Sequence, residues 1–148
     1  MSKNYDIKMK MIKDILKEIS IKKKIHYKKF YKFKKINTFC KSFINGLNAV
    51  SVCSLILTFS PGSIALVITA LSATSLSAIT SAIHTSTDVE GKVHSHNTSY
   101  LQYTDIYRDI SARLFRNHLQ SEDLDILLSE INARLGLIED QSLPITIK

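Results

Sequence analysis

The sequence predicts an all-α protein built around a two-helix transmembrane hairpin, and three observations carry that prediction. The charge is sharply segregated, a long internal stretch has no charge at all, and a Pro-Gly pair divides that stretch into halves of similar length. Residues 1–41 hold 14 Lys and 3 acids (Asp6, Asp14, Glu18), a net of +11. The 46 residues 42–87 contain no Asp, Glu, Lys or Arg. Residues 88–148 hold 6 basic and 10 acidic side chains, a net of −4. Mean hydropathy is near zero only because these segments cancel. At 148 residues a single domain is expected, and soluble domains seldom segregate charge so completely.

The hairpin is expected between Ser42 and His84, within residues 42–84. About 20 apolar residues cross roughly 30 Å of hydrocarbon as a helix. Ser42–Ser60 and Ser63–Ile83 supply 19 and 21 residues. Between them, at 60–63, Pro61 lacks an amide donor and Gly62 tolerates positive φ, so a tight turn and antiparallel neighbours follow. Neither span is uniformly apolar. Asn45 and Asn48 lie in the first, where they would bond between helices or line a polar pathway. In the second, Ala70, Thr74, Ala78 and Ala82 recur every four residues, beside a row of Ala73, Ser77 and Ser81. Such small side chains let membrane helices approach closely. A soluble buried hairpin is the competing reading, and the charge-free run favours the membrane. The lysines ahead of the first span place the N-terminus in the cytoplasm, and a hairpin returns the chain to that side.

Residues 1–41 read as a basic amphipathic and juxtamembrane helix. Ile7, Met11, Ile15 and Ile19 sit four apart, with Ile12 and Leu16 alongside. Nearer the span, Tyr27, Phe30 and Tyr31 interleave with Lys28, Lys29, Lys32, Lys34 and Lys35, and Phe33 joins them. Aromatics and lysines in this pattern suit a lipid-surface anchor. Interleaved lysines and aromatics also suit a phosphate backbone, but no nucleic-acid-binding motif accompanies them, so nucleic acid is disfavoured as a partner.

Residues 85–148 are expected to form packed helices. Tyr100, Tyr103, Tyr107, Ile110 and Leu114 make one heptad seam, with Asp105 and Asp109 opposite Arg108 and Arg113. Leu124, Leu128, Ile131 and Leu135 make a second, opened by Ser121 and closed by Gly136. Pro144 marks the end of regular structure.

Little in the sequence points to catalysis. His94 and His96 are two apart, so on a helix they face differently, and no cysteine or carboxylate cluster completes a metal site. Cys40 and Cys53 would lie about 20 Å apart on one helix and cannot pair. No phosphate loop, nucleophile elbow or triad spacing occurs. No enzyme, catalytic residue, metal or cofactor is expected. The apolar region begins too late for a secretory signal peptide.

The layout is similar to the SLATT proteins, a family of two-span membrane proteins with cytoplasmic helical extensions. The resemblance spans roughly residues 20–146. It rests on His26-Tyr27 in the basic helix, on the two spans, on the His94-x5-Tyr100 element, and on Glu139-Asp140 ahead of the Pro144 tail. A second proline near that tail, frequent in the family, is missing. The resemblance implies a non-enzymatic membrane effector that oligomerises into a pore. Many family members work with nucleotide-sensing partners in prokaryotic conflict systems. The expected partners are therefore a lipid bilayer and further copies of the chain. The alternative is a membrane-anchored minor component of a viral particle, linking an internal virion membrane to the capsid or to other membrane proteins.

Overall fold

The computed structural model describes residues 2–58, 64–115 and 121–142. All regular structure among them is helical: α1 (Ser2–Thr58), α2 (Ile64–Ser86), α3 (Val89–Phe115) and α4 (Ser121–Gln141). The all-α expectation holds, and two of the helices are long and apolar enough to cross a membrane. The Ser60–Ser63 turn and the Pro144 tail lie outside the described residues. Two compact units form, one from Met1–Tyr31 with Lys92–Lys148 and one from Lys32–Gly91. We call them the terminal unit and the hairpin unit.

The terminal unit packs three helical segments around one apolar core. Ile12 and Ile19 of α1 meet Tyr103, Ile106 and Ile110 of α3 and Leu124, Leu127, Ile131 and Ile138 of α4. Ion pairs report the directions. Lys8 bonds Asp125 at 2.6 Å and Lys22 bonds Glu139, each 117 residues apart, so α1 and α4 run parallel in constant register. Arg113 bonds Glu130 at 2.9 Å and Arg134 bonds Asp109 at 2.8 Å, so α3 is antiparallel to α4. Asp109 also receives Arg113 Nε at 3.2 Å, one turn along α3.

The four-residue row on α1 is only partly internal. Ile19 is fully buried and Ile15 half-buried, whereas Ile7 and Met11 are half exposed. A step of four residues turns 400°, so such a row drifts about 40° per step around the helix. Ile12 and Ile19, a heptad apart, drift only about 20° and both stay inside. The α3 and α4 seams follow suit. Tyr103, Ile110, Leu124 and Ile131 are buried, while Tyr107, Leu114, Leu128 and Leu135 pack at the margin. Gly136 does not end α4, which runs on to Gln141. Burial of Ile138 beyond the glycine offsets the conformational cost of one helical Gly, about 1 kcal/mol.

In the hairpin unit, α2 runs antiparallel to residues 32–58 of α1. Ser51 and Thr74 approach to 2.6 Å, Ser77 donates to Asn48 Oδ1 at 2.7 Å, and His84 Nε2 lies 2.8 Å from Asn37 Oδ1. Nothing interrupts α1 between the basic segment and residue 42, since neither Pro nor Gly occurs there. The exit from α2 is sharp. Asp88 takes a left-handed φ of 45°, and its carboxylate accepts the Gly91 amide at 3.2 Å, capping α3. A Cβ on residue 91 would lie 2.3 Å from that carboxylate, so the cap requires glycine.

Replacing Ile131 with Ala should cost the terminal unit about 2–5 kcal/mol through a core cavity, read as a lowered helix-melting midpoint by circular dichroism. Leu137→Ala, at an exposed α4 position, should change it by under about 0.5 kcal/mol.

Candidate functional site

The chemistry-bearing side chains of the terminal unit gather where α1 meets α3. Three rungs of rings and cations join these helices. Tyr27 and Tyr100 rings tilt against each other at 5.3 Å. His26 and His96 meet through their Nδ1 atoms at 3.1 Å, with Tyr103 5.5 Å from the His26 ring. The Lys23 ammonium sits 4.8 Å over the ring of Tyr107.

The histidine pair is the most constrained of the three. Both rings are buried, and His26 Nε2 has no hydrogen-bond partner among the described residues. Two Nδ1 atoms at this distance share one proton, one ring donating and the other accepting. Protonating both would set two N–H groups against each other in a dry site. Burial, the His96 ring and the Lys29 and Lys22 ammoniums push the His26 imidazole down to about 4. Burial and Lys29 lower His96 as well. The neighbouring Lys22 behaves differently. Burial opposes its charge, but Glu139 and Glu18 outweigh that and raise its pKa. The Tyr103 hydroxyl is raised, chiefly by burial.

Beside the Tyr27–Tyr100 rung lies a cleft of about 310 Å³, lined by Lys23, Lys24, Tyr27, Lys28 and Tyr100. Its walls are mainly ring faces and apolar stems. Five acids of this unit, Glu18, Asp109, Asp125, Glu130 and Glu139, pair with Lys8, Lys22, Arg113 and Arg134 instead of the cleft lysines.

The sequence singled out several of these residues for other work. Of the lipid-surface set, Lys28, Lys32, Lys34, Lys35 and Tyr31 are exposed, Lys29 and Phe30 half-buried, and Tyr27 is packed on Tyr100. His94 is exposed and His96 buried, as their spacing implies. Among the described residues no three His, Cys, Asp or Glu side chains converge as metal ligands. Cys40 and Cys53 are free thiols. The pairing of His26 with His96 was hidden in the sequence, because it joins positions 70 residues apart. A residual signal existed: the two resemblance elements, His26-Tyr27 and His94-x5-Tyr100, supply three of the four rings involved, with His96 inside the second.

In the hairpin unit the predicted small-residue positions separate into inner and outer sets. Ala70, Ala73 and Ser77 are buried. Thr74 donates to the Ala70 carbonyl at 2.8 Å, which leaves its oxygen free to accept from Ser51. Ser81 is half-buried, and Ala78 and Ala82 are exposed. Asn45 and Asn48 are both exposed, and Asn48 Oδ1 accepts from Ser77. Ser51 and Ser54, buried on α1, were not singled out. They extend the small polar seam across both helices.

No family model, curated protein or solved structure matches this chain.

The histidine pair predicts an acid-sensitive terminal unit. The native pKa of His26, about 4, lies below the unfolded value of 6.5. Its full contribution is therefore present above pH 6.5 and is lost as pH falls towards 4, by up to about 3 kcal/mol. Thermal melts at pH 7.5 and 4.5 should show the loss. The double variant His26→Leu/His96→Leu, which removes both polar partners together, should fold and lose most of this pH dependence.

Proposed function

We propose that the chain is an integral membrane protein with two spans, formed by α2 and the second half of α1. One observation carries the reading: the hairpin unit is inverted relative to a water-soluble core. Between its two antiparallel helices the buried side chains are small or hydroxylated, namely Ser51, Ser54, Ala70, Ala73 and Ser77, and Val89 at the start of α3 is the larger buried side chain among the described residues of this unit. Its large apolar side chains point outward, including Phe39, Leu55, Ile56, Ile64, Ile68, Leu71, Ile79 and Ile83. Water would penalise this apolar surface, at about 25 cal/mol per Å². Hydrocarbon does not, and the hydroxyl seam then holds the helices together. The Thr69 and Thr80 hydroxyls donate to Ala65 and Leu76 carbonyls one turn back, as hydroxyls exposed to lipid require.

The lysines before the first span set both flanking segments on the cytoplasmic side. The resemblance to SLATT proteins adds oligomerisation and a pore-forming role without enzymatic chemistry. Within that reading, the exposed Asn45, Ala78 and Ala82 are the positions left for contacts between subunits.

The protein should remain in the membrane pellet after carbonate at pH 11 and leave it only with detergent; release by carbonate alone overturns the reading. The pore role has its own readout. Reconstituted liposomes should pass ions, and Ala78→Phe should lower both the flux and the cross-linked mass in mild detergent. Liposomes that stay tight, with the protein verified as inserted, leave the spans standing and remove the pore.

A further inference from the structure

We propose that the cleft between Tyr27 and Tyr100 is a binding site for an organic phosphate, with the phosphate held by Lys23, Lys24 and Lys28 and its apolar portion against the two tyrosine rings. The charge pattern is the first argument. Lys24 and Lys28 stand one turn apart on α1, with Lys23 beside them, and like charges at this spacing destabilise a helix. None of the three makes an ion pair among the described residues. One position away, Lys22 takes both Glu18 and Glu139. Lys24 and Lys28, without an acidic partner among the described residues, thus line one cleft together with Lys23, whose ammonium lies over the Tyr107 ring.

The lining is the second argument. A site for a bare inorganic anion needs convergent N–H and O–H donors. This one is lined by two tyrosines and three lysines, and its surface is mainly apolar. At about 310 Å³ it matches the lower end of small-molecule sites. A ligand with a flat or aliphatic body and one phosphate satisfies both halves: the body covers the tyrosines and the phosphate neutralises the lysines. The geometry is prepared in advance. The adjacent His26–His96 contact holds α1 against α3, so Tyr27 meets Tyr100 without a ligand.

Such a phosphate belongs either to a soluble molecule or to the headgroup of an anionic lipid. The inference stands apart from the membrane reading, because every lining residue lies in the terminal unit.

The test is calorimetric titration of the full chain in a neutral detergent with four probes. These are phenyl phosphate, dioctanoyl phosphatidylglycerol, dioctanoyl phosphatidylcholine and inorganic phosphate. Phenyl phosphate or the phosphatidylglycerol should bind at least about tenfold more tightly than inorganic phosphate and the phosphatidylcholine. Preference for the phenyl ester assigns a soluble ligand, and preference for the glycerol lipid assigns a headgroup. Tyr100→Ala and Lys24→Gln/Lys28→Gln should each weaken the preferred probe about tenfold. Lys10→Gln/Lys13→Gln, which removes the same charge from the same helix away from the cleft, should leave it within about twofold. Helical content of each variant is checked by circular dichroism. Equal binding of all four probes, or an equal loss in the Lys10/Lys13 control, overturns the site.

Discussion

The contact of Ile12 and Ile19 with the inner faces of α3 and α4 underlies the terminal unit. It joins residues that lie more than eighty positions apart in the chain, and the ion pairs on its rim keep it in register. Lys8–Asp125 and Lys22–Glu139 share one offset, so two heptads of α1 and α4 stay level. The pairs are partly solvated and contribute little energy. Their effect is directional: a slip by one residue would turn the buried isoleucines out and the lysines in. With α1 fixed in this way, His26 meets His96 and Tyr103, and Tyr27 is presented beside it.

The two units solve the same packing problem with opposite materials. In the terminal unit the buried side chains are mainly Ile, Leu and Tyr, and also include His26, His96 and Ser99. Between the two hairpin helices the buried side chains are Ser and Ala, and the exposed ones include Phe, Leu, Ile and Val. Helix α1 supplies a wall to both without a break in its hydrogen bonding. Its sequence therefore changes character at about residue 36, from an apolar stripe on a charged rod to a polar stripe on an apolar rod. An inner seam of hydroxyls is weak in water, where the solvent competes for every bond. It becomes a specific fastening once the surroundings offer no alternative partner.

Burial at the histidine pair has a cost that the core offsets. One imidazole nitrogen has no partner among the described residues, and two bases share a proton beside two lysines. A leucine pair would pack there at least as well. The polar pair makes the α1–α3 contact depend on neutral imidazoles, next to the cleft where ligand binding is proposed.

Much of the architecture was legible in the sequence because it depends on local rules. The charge-free run, its division at Pro61-Gly62 and the helical spacings on either side pointed to an all-helical chain with two long apolar helices. Heptad spacing named Tyr103, Ile110, Leu124 and Ile131 correctly, because a heptad drifts only slightly around a helix. Rows of four leave the intrachain interior in both units. Ile7 and Met11 turn outward from Ile19, and Ala78 and Ala82 turn outward from Ala70, for the same 40° per step. Tertiary structure alone decided which helix faces which. It paired His26 with His96, set Tyr27 on Tyr100, carried α4 past Gly136 and required glycine at 91 beneath the Asp88 cap. Each depends on the approach of groups whose distance is set by packing, and sequence spacing carries no record of it.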